Sequence, residues 1–128
     1  MLDAGVLIAL LDRRDPHHLA ALTLLEVLEP PYFVHPLTAA EVLVGAARSG
    51  REAEVWNDLT AVGVQQADLG PDEPLLLARL RATHRLKMPD TCVLATASHH
   101  GSALATFDRR LANVAESTGL LHPASARV

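Results

Sequence analysis

The stretch Met88-Pro89-Asp90-Thr91-Cys92-Val93-Leu94-Ala95-Thr96-Ala97 sets an acid just after a proline, at the mouth of a short apolar helix. An Asp at such a position can cap free backbone N–H groups and sits well in the helix dipole. Three more acids share its setting. Asp3 follows two apolar residues, Glu41 lies in Leu37-Thr38-Ala39-Ala40-Glu41-Val42, and Asp108 closes the run Ala103-Leu104-Ala105-Thr106-Phe107-Asp108. Each stands beside a segment that should be buried, and charged residues are rarely buried without a partner or a metal.

Working outward, Met1-Leu2-Asp3 reads as the end of a strand, and Val6 to Leu11 as a short apolar helix. Asp15-Pro16 supplies a cap and a first-turn proline for a helix over 17–28, which Glu29-Pro30-Pro31 stops. Tyr32-Phe33-Val34-His35 is a brief strand. Thr38 with Glu41 three residues on has the capping-box pattern, so a third helix is expected from Thr38 to about Arg48. Helices are predicted over 51–61 and 73–85, a strand over 64–69, and the apolar helix from Asp90 to about Gly101. Ala103 to Phe107 is a buried strand, Asp108 turns into a helix ending near Glu116, and Leu120-Leu121-His122 is a last strand. Strands alternating with helices favour a parallel sheet covered on both faces.

The 128 residues suffice for one domain with a real core, and no repeat or linker divides them, so 1–128 is read as a single domain. Aromatics make up only 3% of the chain, which argues against a stacking platform for bases. The formal charge of −4 argues against passive nucleic-acid binding through a broad basic surface. An enzyme that holds a phosphodiester through metal ions stays open. One cysteine, Cys92, excludes an intramolecular disulfide and fits a reducing cytoplasm. No apolar run reaches membrane-spanning length, and Leu7 to Leu11 lacks the flanks of a signal peptide.

In an open α/β sheet, sites form at the carboxyl ends of the strands. Asp3 and Asp108 close strands there, while Asp90 and Glu41 stand in first turns of helices that start at the same edge. The four acids are therefore expected on one rim. Unpaired, they would repel one another and raise some of their own pKa values. A hard divalent cation, Mg2+ or Mn2+, resolves the conflict and can activate water against a phosphodiester.

These residues resemble a PIN domain, and most closely the small VapC-type toxin ribonucleases of type II toxin–antitoxin pairs. The resemblance rests on Leu2-Asp3-Ala4-Gly5-Val6-Leu7, Thr38-Ala39-Ala40-Glu41 with Val42 and Gly45, Asp90 with Val93 to Ala97, and Ala105-Thr106-Phe107-Asp108. It implies a PIN-like three-layer α/β fold, with a short, mostly parallel central sheet flanked by helices. It also implies a metal-dependent endoribonuclease, often dimeric, held inactive by a VapB-type antitoxin. Carried over residue by residue, Asp3 and Asp90 would touch the metal and Asp108 would ligate it or hold its water. Glu41 would orient water or assist proton transfer, and Thr106 would hydrogen-bond within the cluster. Two departures stand out. Gly5 occupies a position where the family often has Ser or Asn, removing a side-chain hydrogen bond. Only two residues precede Asp3, so either the natural chain starts upstream or the central strand is stunted.

Blander readings stand beside these. Asp90 and Glu41 could be capping residues, and Asp108 could merely open the next turn. Arg79, Arg81, Arg85 and Lys87 could be a solvated face; in the functional reading Arg85 and Lys87 hold RNA phosphates. His17-His18 and His99-His100 lack the spacing that puts two imidazoles on one helical face. Trp56, Leu59 and Val62 suit core packing or a partner's groove. The rival functions are a catalytically degenerate PIN-like binding module and a phosphate-handling α/β hydrolase of another family. Against the latter, the chain has neither a D-x-D pair after its first strand nor a glycine-rich phosphate loop.

Overall fold

The computed structural model describes residues 1–127. Tyr32–Val34 (β1) and Val64–Gln66 (β2) pair in parallel, Tyr32 opposite Val64 and Val34 opposite Gln66. Single parallel bridges carry the sheet onward, Leu2 to Ala105 and Leu104 to Leu121. The Leu2 N–H donates to the Phe33 carbonyl at 3.1 Å, and the Asp3 N–H to the Ala105 carbonyl at 3.2 Å. Across the sheet the order is therefore 64–66, 32–34, 1–3, 103–106, 120–122. Chain order reverses at residues 1–3, the place where open α/β sheets form their binding crevice.

Strand periodicity sends neighbouring side chains to opposite faces. Leu2, Tyr32, Val34, Val64 and Ala105 face one core, shared with α1 (Ala4–Leu11), α2 (His18–Val27), α3 (Pro36–Ala47) and α4 (Glu52–Ala61). Met1, Phe33 and Leu104 face the other, with Leu80 of α5 (Glu73–His84), α6 (Met88–His100) and α7 (Arg109–Ser117). Three layers result, as the α/β reading requires. Leu59 is buried and Trp56 packs against the first core, which settles that pair as packing; Val62 is exposed. Among the described residues, no helix is long and apolar enough to cross a membrane.

Helix α6 is buried along seven consecutive residues, Thr91 to Ala97. A helix enclosed all round shows no polar stripe, which is why its sequence reads as an apolar run. Its threonines stay satisfied by back-bonding: Thr91 Oγ1 donates to the Lys87 carbonyl at 2.9 Å and Thr96 Oγ1 to the Cys92 carbonyl at 2.8 Å.

Several expected boundaries move. Helix α6 begins at Met88, with Lys87 at the cap position, because Pro89 fits a first turn whose N–H groups are free in any case. Helix α3 begins at Pro36 for the same reason, and its cap is His35. His35 Nδ1 accepts the Leu37 N–H at 3.1 Å, while buried Thr38 lies inside the helix, so Thr38 and Glu41 form no capping box. Helix α2 starts at His18, and Asp15 instead accepts the His17 N–H at 2.8 Å in the turn before it. The strand expected over 64–69 stops at Gln66, although the Ala67 N–H still donates to the Val34 carbonyl at 2.8 Å.

With Nδ1 accepting, neutral His35 carries its proton on Nε2 and donates it to the Glu73 carboxylate of α5. One buried imidazole thus caps α3 and ties it to α5. His35→Ala should cost about 1–3 kcal/mol by leaving groups unpaired. His35→Asn, whose side-chain oxygen can restore the cap, should recover part of that. Urea denaturation separates the two; equal losses would mean that the cap bond contributes nothing.

Candidate active site

Asp3 ends the central strand segment and opens α1. Only 8% of it is exposed, and both carboxylate oxygens are engaged. Oδ1 accepts the Ala4 N–H at 2.7 Å, and Oδ2 accepts the Thr106 hydroxyl at 2.7 Å. Thr106 Oγ1 in turn accepts the Asp108 N–H at 3.0 Å, and the Thr106 N–H donates to buried Ser125 Oγ at 3.2 Å. The ends of two adjacent strand segments are stitched together where the chain order reverses. Ser125 was not foreseen; a lone serine near the C-terminus carries no sequence signal of its partner.

Burial pushes the Asp3 carboxyl above its ordinary range, the Thr106 and Ala4 hydrogen bonds pull it back, and the charges of Asp108 and Glu41 push it up again. Asp90 is also raised, first by burial and then by the charges of Asp3 and Asp108, against relief from Lys87 and Arg110. All four acids therefore stand within electrostatic reach of at least one other. Their local roles differ. Asp108 caps α7, Oδ1 accepting the Leu111 N–H at 2.8 Å. Asp90 lies in the first turn of α6 but caps nothing among the described residues, so the capping reading of Asp90 falls. Glu41 is exposed on α3.

Of the cations, Lys87 sits at the α6 cap position and acts on Asp90. Arg85 lies one step further off, lining an open cleft of about 630 Å³ with Arg81 and Met88. Arg110, absent from the sequence-based set, donates from Nη2 to the Arg85 carbonyl at 2.9 Å and also acts on Asp90. Its signal was there in Arg109-Arg110, directly after the last acid. The histidines have other tasks: His18 Nδ1 lies 2.7 Å from the Ala9 carbonyl, and the rings of His17 and His100 stack on Phe107 and Phe33.

Among the described residues, no three His, Cys, Asp or Glu groups are gathered closely enough to hold a metal ion. The donor chemistry nevertheless fits a hard divalent cation. Asp3 and Asp90 are carboxylates that burial and mutual repulsion make uncomfortable as anions, and oxygen donors suit Mg2+ or Mn2+.

The PIN domain profile matches residues 1–117. The chain belongs to the PIN domain family. A solved toxin–antitoxin complex from Klebsiella pneumoniae contains a chain 30% identical to this one, with a TM-score of 0.69 and 84% of each chain covered. A search of curated proteins gives no match. This PIN domain therefore resembles a chain found in a toxin–antitoxin complex, and its fold is the helix-rich α/β architecture with a short parallel sheet.

Two outcomes follow for the metal-free protein. Both raised carboxyls bind protons more tightly when folded than when unfolded, so stability should fall as pH rises from 3.8 through the raised values. Asp90→Asn should raise the melting temperature above that window and make little difference below pH 3.8; a loss at neutral pH would show that its helix-dipole contribution outweighs the repulsion. Thr106→Val strips a donor from buried Asp3 and should cost about 1–3 kcal/mol near neutral pH, with a smaller deficit in acid. Thermal melts across pH read both.

Proposed function

We propose that this PIN domain is a metal-dependent endoribonuclease, the toxin of a toxin–antitoxin pair. The observation that carries the reading is the hydrogen-bonded chain Asp3–Thr106–Asp108 at the strand crossover, with Glu41 and Asp90 near enough for charge to couple them to it, within a chain of this family. Asp3 and Asp90 would hold Mg2+ or Mn2+, with Asp108 ligating it or holding its water, and the ion would supply charge neutralisation at the phosphoryl oxygens and a more acidic water. Thr106 and the Ala4 N–H fix the orientation of Asp3. Glu41, exposed and uncommitted to any hydrogen bond among the described residues, would take the proton of the attacking water. Lys87, Arg85 and Arg110 would draw RNA phosphates toward the rim and hold them there.

The partner class follows from the relative in a toxin–antitoxin complex. An apolar groove lined by Leu37, Ala40, Val44, Met88 and Pro89, with Glu41 at its wall, offers a VapB-type antitoxin segment a seat beside the acids. A homodimer is the assembly we assign, by the resemblance. A reducing cytoplasm is the compartment we assign, supported by a single cysteine, buried and with its thiol pushed up to about 11 by desolvation.

Incubation with total RNA tests the reading. Wild type should cut with Mg2+ or Mn2+ and not with chelator, and Asp90→Asn should lose at least about 100-fold, the scale of one lost charge-stabilising group. No cutting by wild type with either metal would leave the binding module as the function. Lys87→Ala and Arg85→Ala should each lower the salt slope of RNA binding by about one.

A further inference from the structure

A pocket of about 300 Å³ opens beside the acid rim, between α7 and the last strand segment. Thr106, the residue that holds Asp3, and Phe107 lie at its inner end; Leu121 adds a second apolar wall. Arg109, Asn113 and Glu116 line it along one face of α7. Among the described residues, none of these three side chains makes a hydrogen bond or an ion pair within the chain. All three are exposed on α7, so their polar ends are free to meet a ligand at the mouth of a pocket walled by Thr106, Phe107 and Leu121.

We infer that this pocket receives a guanine base of the substrate RNA, next to the phosphodiester held at the acids. The proposal rests on the ribonuclease reading and deepens it. Arg109 and Glu116 are seven residues apart, about 10 Å along the helix and nearly two turns, so they face the same way. An arginine pairs bidentately with O6 and N7 of guanine. A carboxylate accepts the N1–H and N2–H donors of the adjoining Watson–Crick edge, a pair of donors that adenine, cytosine and uracil do not present. The two side chains thus take adjoining edges of one guanine, with Phe107, whose ring already stacks with His17, as an apolar wall beside the base. Phe107 lies between Thr106 and Asp108, so a base seated there belongs to a nucleotide beside the cleavage point.

Two measurements test this separately from the ribonuclease reading. Guanosine 5′-monophosphate, titrated into metal-free protein, should shift the backbone amide signals of Arg109, Asn113 and Glu116. It should bind at least about tenfold more tightly than adenosine 5′-monophosphate, and Glu116→Ala should erase the difference. Equal binding of the two nucleotides, or no shift on α7, overturns the pocket. Cleavage of a random single-stranded RNA pool with Mn2+ is the second arm. Guanine should be enriched at one fixed position within two nucleotides of the cut, and Glu116→Ala should reduce that enrichment at least about fivefold. Cutting without base preference overturns the pocket and keeps the nuclease. Selective binding of the guanine nucleotide on α7 without any RNA cutting supports the pocket as a guanine site and overturns the nuclease.

Discussion

One hydrogen bond organises this molecule: the Thr106 hydroxyl given to Asp3 Oδ2 across the crossover of the sheet. It joins the ends of two strand segments that are distant in the chain and adjacent in space. Without a donor, a carboxylate enclosed as Asp3 is would face a desolvation cost of several kcal/mol. With Thr106 and the Ala4 N–H in place, it stays oriented toward the rim. The same hydroxyl accepts the Asp108 N–H, so one oxygen sets the relation between the first and the last acid.

Burial does the rest of the tuning. The closed helix α6 carries Asp90 out of the core on its first turn, against the neutral, tightly packed run from Thr91 to Ala97. Partial burial against that apolar run raises its proton affinity, and Asp3 and Asp108 add to the effect. Lys87 and Arg110 offset part of it. The rim is thus a region of unsatisfied negative charge bordered by a few cations, a distribution matched to a cation and a polyanion together.

Much of the architecture was legible in the letters, because the signals that carry it are local. The short apolar runs at 32–34 and 103–106 and the long apolar stretch after Asp90 mark the sheet and its buried helix, although 103–106 pairs only through single bridges. The acids stood out as charges where charges do not belong. Helix starts were less legible. Pro36 and Pro89 enter the first turns of α3 and α6, and the caps fall on His35 and Lys87, residues with weak capping preference. The pairing of His35 with Glu73, of Thr106 with Ser125, and of Arg110 with the Arg85 carbonyl joins segments far apart in sequence. No spacing rule reaches that far; only the packed chain brings such groups together. Nor does the sequence show that the acids, though coupled, stop short of a closed ligand set.

Gly5 bears on how the first acid meets its surroundings. A β-carbon there would lie 3.9 Å from Asp3 Oδ2 and touch nothing else, so packing does not demand a glycine. The residue is exposed, and in a helix it weakens α1 by roughly 1 kcal/mol relative to alanine. What it leaves in return is a bare stretch of backbone beside the most enclosed carboxylate of the cluster. A side chain added there would begin against Oδ2 of Asp3, so the glycine spares that oxygen one more covering group.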